Sequence, residues 1–292
     1  MKATKLLLVL SCILLALTGC NREEDNNERD NNLMSFDILY PSATRATATG
    51  FEKTDKIGLF ITEQNAPLQV SGNYVNNALL TYTGTAWTPN KPVYWNDGKY
   101  NVFAYYPYVS PVTSVDDFPI SVALDQSTSR KGEQLGGYEA SDFLWANAGN
   151  VTSNGSSVKL AFKHTMSKVI IRLIKGEDFD GELPTDAQVY IHNTVTDATI
   201  DLSIGIVTKH PYGTERTIKA MPMGNYRYTG IVVPQRLANR RPLIEVVMQG
   251  VSYLMESAFL FKPGIQHTVS LVISKNPEQV KIEIGGEIEN WE

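Results

Sequence analysis

Four histidines, two cysteines and scattered carboxylates are the residues in this 292-residue chain whose chemistry suits catalysis or metal binding. His164, His192, His210 and His267 are far apart, and three lie in or beside segments that read as strands, where histidine serves packing and polar pairing more than ligation. Asp116-Asp117 lacks the alternating ligands and central glycine of a calcium loop. No serine sits in a G-x-S-x-G turn, and neither a glycine-rich phosphate loop nor a zinc-binding helix pattern is present. The cysteines offer no pair, because Cys12 falls inside an apolar leader and Cys20 at its end. The expectation is a protein that is not an enzyme, with no catalytic residue, no metal ligands and no cofactor.

The chemistry that the sequence does offer is at its start. Lys2 and Lys5 precede the apolar run Leu6–Leu17, which is shorter than the roughly 20 residues of a bilayer-spanning helix and reads as an export signal over 1–19. The run closes on Leu17-Thr18-Gly19-Cys20, which resembles a bacterial lipobox, so Cys20 is the expected lipidation site and mature N-terminus. Asn21–Asn32 contains no apolar residue, and residues 20–32 read as a polar tether between lipid and folded body. That arrangement anchors the body to a membrane rather than threading the chain through it.

The elements that follow are strands. With 42% hydrophobic and 20% charged residues the chain has the composition of a globular protein. Lys and Arg total 26 against 31 Asp and Glu, an acidic balance that argues against nucleic acid as a partner. From Leu33 onward, period-2 alternation and β-branched or aromatic runs, punctuated by Gly, Asn, Pro and Asp, predict an all-β body. Candidate strands include Ser35–Tyr40, Lys56–Thr62, Tyr100–Tyr106, Ile120–Leu124, Val158–Lys163, Lys168–Ile174, Leu243–Met248, Leu254–Leu260 and Val280–Ile284. Their number suits two sandwiches, an N-terminal domain over 33–165 and a C-terminal domain over 166–292. Tyr94, Trp95, Tyr100, Phe103, Tyr105, Tyr106 and Tyr108 could form a sugar-stacking platform, but Tyr105 and Tyr106 are adjacent on a strand and face opposite ways, which favours core packing.

Several segments together resemble the Bacteroidetes fimbrillin family, the subunits of type V pili. Phe103-Ala104-Tyr105-Tyr106-Pro107-Tyr108 is similar to the family's FYAYYPY segment, with Tyr94-Trp95 before it and Asp142-Phe143-Leu144-Trp145-Ala146 after it. The stretch from Val158 to Val169 (VKLAFKHTMSKV) resembles its most specific block, and Val232-Val233-Pro234-Gln235 and Lys262-Pro263-Gly264 are weaker echoes in the same order. The resemblance implies two tandem transthyretin-like (Greek-key) β-sandwiches, export as an outer-membrane lipoprotein, and assembly at the cell surface with other pilin subunits in a head-to-tail fimbria. It also implies maturation by an Arg-specific protease behind the first strand. Arg45 followed by Ala46, in Ala43–Ala48, matches that place, which would make 33–45 a removable segment.

Alternation gives this segment a physical meaning. Met34, Phe36, Ile38 and Tyr40 form one apolar row, and removing four fully buried side chains would uncover about 6–12 kcal/mol of burial and open a groove. A strand from a neighbouring molecule would fill it. In the tail 278–292, Val280, Ile282, Ile284 and Ile288 form a similar row, which reads either as the donated strand or as the last strand of its own domain. A non-closing contact of this kind yields a filament. The alternative is a monomeric or anchor-type surface lipoprotein that binds a glycan or a host or bacterial surface protein through loops such as Gln126–Gly137.

Overall fold

A computed structural model describes residues 32–41, 50–277, 281–283 and 288–291. Among these the fold is all-β, with a single five-residue α-helix. The first half holds β1 (Phe36–Leu39), β2 (Lys56–Glu63), β3 (Val75–Tyr82), β4 (Trp87–Pro89), β5 (Tyr100–Tyr106), β6 (Phe118–Ser121), helix α1 (Gly137–Ser141), β7 (Leu144–Val151), β8 (Val158–Ala161) and β9 (Lys163–His164). The second holds β10 (Ser167–Lys175), β11 (Gln188–Val195), β12 (Asp197–Asp201), β13 (Ile206–Lys209), β14 (Glu215–Lys219), β15 (Met221–Gly224), β16 (Arg227–Val232), β17 (Gln235–Met248), β18 (Val251–Phe261), β19 (Ile265–Ile273), β20 (Lys281–Glu283) and β21 (Ile288–Asn290).

In the first half, a six-stranded antiparallel sheet runs β4-β3-β2-β5-β7-β9. Its central strand β2 reads KIGLFITE without alternation because both faces are covered. Ile57, Leu59 and Ile61 join Val102, Ala104 and Tyr106 in one cluster, under the parallel pair β1-β8. Phe60, Tyr105 and Trp145 point the other way, into a larger core shared with the second half. Tyr105 and Tyr106 thus serve opposite faces. Tyr105 lies over Gly58, where a Cβ would stand 2.2 Å from its ring, and its hydroxyl donates to Asn77 Oδ1 at 2.7 Å.

In the second half, β15-β16-β10-β19 form one sheet, with β10 and β19 parallel, and β14-β11-β17-β18 form another. Val169, Ile171 and Leu173 from the first and Ile191 and Val246 from the second share the larger core. Besides this shared core, polar and backbone contacts join the halves. Strand β6 pairs antiparallel with β12. The Trp145 indole donates to the Leu202 carbonyl at 2.8 Å. The fully buried Gln126 amide both donates to the Ile231 carbonyl and accepts from the Ile231 N–H, each at 2.7 Å.

Candidate functional site

Residues 32–41 are stitched in by a ladder that changes partner midway. Asn32 and Met34 bond antiparallel to the 93–95 segment: Met34 N–H donates to Val93 O at 2.7 Å and Trp95 N–H to Asn32 O at 2.7 Å. From Ser35 the chain turns to the other neighbour, with Val158 N–H donating to Ser35 O, β1 running parallel to β8, and Phe162 N–H donating to Leu39 O. Period-2 geometry then sends Met34, Phe36, Ile38 and Tyr40 inward and leaves Ser35, Asp37 and Leu39 exposed. Met34 is fully buried, whereas Phe36, Ile38 and Tyr40 are half-buried. Counting one full side chain and three halves lowers the apolar burial held by the strand to about 4–8 kcal/mol.

Tyr40 ends the row at a junction of rings and charges. Its ring meets Phe51 edge-on at 4.9 Å and His164 at 6.0 Å. It walls a cavity of about 170 Å³ that Tyr106, Tyr138, Asp55, Arg130 and Asp142 also line. Arg130 donates to Asp55 at 2.5 Å and to Glu139 at 3.0 Å, so one guanidinium offsets part of the charge of the carboxylates around it. Burial pushes the Tyr40, Tyr106 and Tyr138 hydroxyls up, with Asp142 adding for Tyr40 and Tyr138 and Asp55 for Tyr106, so all three stay protonated.

The C-terminal strands reach the same junction from the other side. Both β20 and β21 pair antiparallel with β19, Ile282 opposite Leu271 and Ile288 opposite His267. Trp291 N–H donates to Gly264 O at 2.8 Å, and its ring, 8% exposed, stacks on His164 at 3.8 Å and 9°. The Lys168 ammonium lies 5.5 Å from the indole centre, and burial lowers its pKa against the pull of Asp142. On its far edge His164 Nδ1 is 2.8 Å from Asp142 Oδ1.

Of the positions expected from sequence, Met34, Phe36, Ile38 and Tyr40 are described, and Ile282 and Ile288 lie in strands paired within the same chain. Cys20, Arg45, Ala46, Val280 and Ile284 fall outside the described residues. The remaining histidines are separate. His267 is buried, accepts the Lys262 N–H at Nε2, and has its pKa lowered by burial and then by Lys262. His192 belongs to a polar ladder with one residue from each strand of its sheet: Thr217 Oγ1 is 2.9 Å from Nδ1, Glu245 Oε2 is 2.9 Å from Nε2, and Ser252 donates to Glu245. Hydroxyl, imidazole and carboxylate in this order have the composition of a hydrolytic triad, but they link strands across a partly solvated sheet face, where cross-strand pairing accounts for them. Among the described residues there is no cluster of three metal-ligating side chains, and no helix is long and apolar enough to cross a membrane.

The profile of the fimbrillin-like family matches residues 44–291, more than four-fifths of the sequence. The chain belongs to the fimbrillin-like family. A proposed fimbrium tip subunit of Bacteroides ovatus, Fim1C, is 29% identical over 197 residues, covering 59% of this fimbrillin-like chain and 36% of the relative. The match therefore spans little more than a third of that relative's length. Among solved structures, a proposed cell adhesion protein of Bacteroides ovatus aligns with a TM-score of 0.68 at 18% identity, over 89% of this chain and 96% of the other. Another from Bacteroides uniformis aligns at 0.67 and 20%, over 89% and 98%. The tip fimbrial protein Mfa3 of Porphyromonas gingivalis aligns at 0.52 and 8%, over 82% and 95%. At these identities the likeness establishes the fold.

From sequence Gln126–Gly137 reads as a surface binding loop, without the buried amide of Gln126 or the ion pairs of Arg130, and the pairing of His164 with Trp291 has no local signal. Gln126 and Arg130 lie in a Ser- and Gly-rich stretch that reads as a loop. His164 and Trp291 are 127 positions apart, and nothing local to either marks the other.

Proposed function

We propose that this fimbrillin-like protein is a non-enzymatic structural or adhesive subunit of a type V pilus, exported through lipidation at Cys20, matured by cleavage after Arg45, and polymerised when a neighbour's C-terminal strand replaces the excised segment. One observation carries the reading. Residues 32–41 complete the hydrophobic cluster of the first half, with Met34 fully buried, yet precede every other described strand, bonded along one stretch to 93–95 and along the next to β8. Such a strand is integral to the core and removable by a single cut. Family membership supports the cell-surface pilus setting, and the likeness to Fim1C supports a tip position. Two tandem transthyretin-like sandwiches divided near residue 165 belong to the same reading, supported by a cluster under β1 drawn from the first half alone, while the larger core spans both halves.

Partners in this reading are other pilin subunits, a membrane lipid before maturation, and a surface ligand at a tip. The test is N-terminal sequencing of surface filaments from producing cells. A new terminus at Ala46 is the expected result, and retention of 33–45 in filaments overturns the maturation step. A second reading, an anchor or monomeric surface lipoprotein, draws on the pairing of β20 and β21 with β19 of the same chain. Deleting 280–292 separates the two: loss of polymer with intact monomer favours exchange, and simple unfolding favours a tail that is the last strand of its own domain.

A further inference from the structure

We propose that His164 is a shared fastening point that keeps the C-terminal strand docked on its own chain until the N-terminal strand has gone. The regulation is built on the strand-exchange reading above, and its parts lie on one short path. Strand β1 fixes β8 through four parallel register pairs, and Leu39 O accepts the Phe162 N–H immediately beyond. Two residues further on stands His164, edge-on to Tyr40 and side chain almost wholly buried. Its ring is held in one orientation by Asp142 and presents its face to Trp291. Trp291 in turn closes the end of β21, whose ladder to β19 spans only Ile265–His267.

Excising β1 therefore acts on the tail without touching it. The β8–β9 segment loses its outer partner, the Tyr40 edge leaves His164, and water gains access to the Asp142–His164 hydrogen bond, which weakens as the local dielectric rises. The platform beneath Trp291 loses its fixed orientation, which leaves the tail on two three-pair ladders and the Trp291 N–H bond to Gly264. In the uncut chain the tail is retained, so a molecule with no vacant groove does not offer a free donor. After excision, vacancy and donor appear together.

Coupling of this kind is reciprocal, which supplies a test that does not endanger the fold. Hydrogen exchange is measured on the full uncut chain for amides of β1, of Ile265–His267 and of Trp291, with Gln188–Val195 as the control for global folding. Tyr40→Ala is expected to speed exchange at Trp291 and Ile265–His267 by about fivefold or more. Trp291→Ala, at the chain terminus, is expected to speed exchange of β1 amides by a similar factor while the control stays protected. If Tyr40→Ala leaves the tail, and Trp291→Ala leaves β1, at wild-type rates, the coupling is overturned. A protein from which β1 has been cut and removed keeps this result apart from the polymer reading. A tail that loosens without polymers forming upholds the coupling and rejects strand exchange, whereas polymers formed with a tail still protected in the cut monomer reject the coupling and leave strand exchange standing.

Discussion

Removing β1 should cost the N-terminal half a large share of its stability. The perturbation is a site for a sequence-specific protease placed between Pro41 and Gly50, followed by cutting and separation of the released peptide in mild denaturant. Met34 is 2% exposed, and Phe36, Ile38 and Tyr40 are half-buried, which gives about 4–8 kcal/mol of apolar burial before any ladder bond is counted. Against a typical stability of about 5–15 kcal/mol, the cut form is left near the edge of folding. With a urea slope of about 3 kcal/mol per molar, the unfolding midpoint falls by roughly 1–3 M. Adding back a synthetic 32–41 peptide should restore it in proportion to peptide concentration, because a ligand that binds only the folded form stabilises by mass action. Tryptophan fluorescence reports the transition, since Trp87 and Trp95 belong to the affected cluster. A midpoint unchanged within about 0.3 M after removal of the peptide would refute the reasoning, because the groove would then be closed without its strand.

Three further outcomes follow from the joints around that groove. Gln126→Leu should destabilise by about 2–4 kcal/mol in urea unfolding, because it strands the buried Ile231 N–H and C=O that Gln126 alone caps beyond the end of β15. Arg130→Ala should cost about 3–5 kcal/mol in the same assay, since Asp55 is 4% exposed and loses the guanidinium that compensates its charge. Thermal stability should fall as pH drops below 6.5. His267 is kept neutral in the fold by burial, so the unfolded chain binds its proton first, stability rises with pH across that window, and it is lost on acidification until the folded ring protonates; His267→Gln should remove this share of the dependence.

Strand content was legible wherever the residues alternate or cluster by burial. Ser35–Tyr40 and Lys56–Thr62 were expected within a residue or two of β1 and β2, and the opposed faces of Tyr105 and Tyr106 follow from period 2 alone. Strand β17 was not. Its first half, Gln235–Arg241, is polar, and Pro242 sits inside it, features that normally end a strand; register shifts near Arg241 and Pro242 absorb them, and β18 supplies the pairing that local propensity denies. Expected at Ile120–Leu124, β6 begins instead at Phe118, because its partner β12 comes from the other half and sets the register. The junction at His164 was illegible for the same reason: stacking between residues at opposite ends of a chain is a property of topology, and no local pattern encodes it.

Under the proposed strand exchange, that topology would keep the chain monomeric before cutting. A tail leaving β19 gives up two three-pair ladders and the burial of Trp291, alone worth about 1.5–3 kcal/mol. While β1 is in place, no groove exists to return that energy, so a free tail is a minor state. Once β1 is gone, filling the groove returns about 4–8 kcal/mol, to be set against the indole's burial and the two ladders. The direction of assembly then rests on the order of events rather than on unusual affinity. It requires the tail's loss to be smaller than the groove's gain, a condition that the half-buried state of Phe36, Ile38 and Tyr40 makes narrow. A further cut into that margin, such as Met34→Ala in a replacement peptide, should weaken groove filling by about 2–5 kcal/mol, readable as a right-shifted titration in the same fluorescence assay.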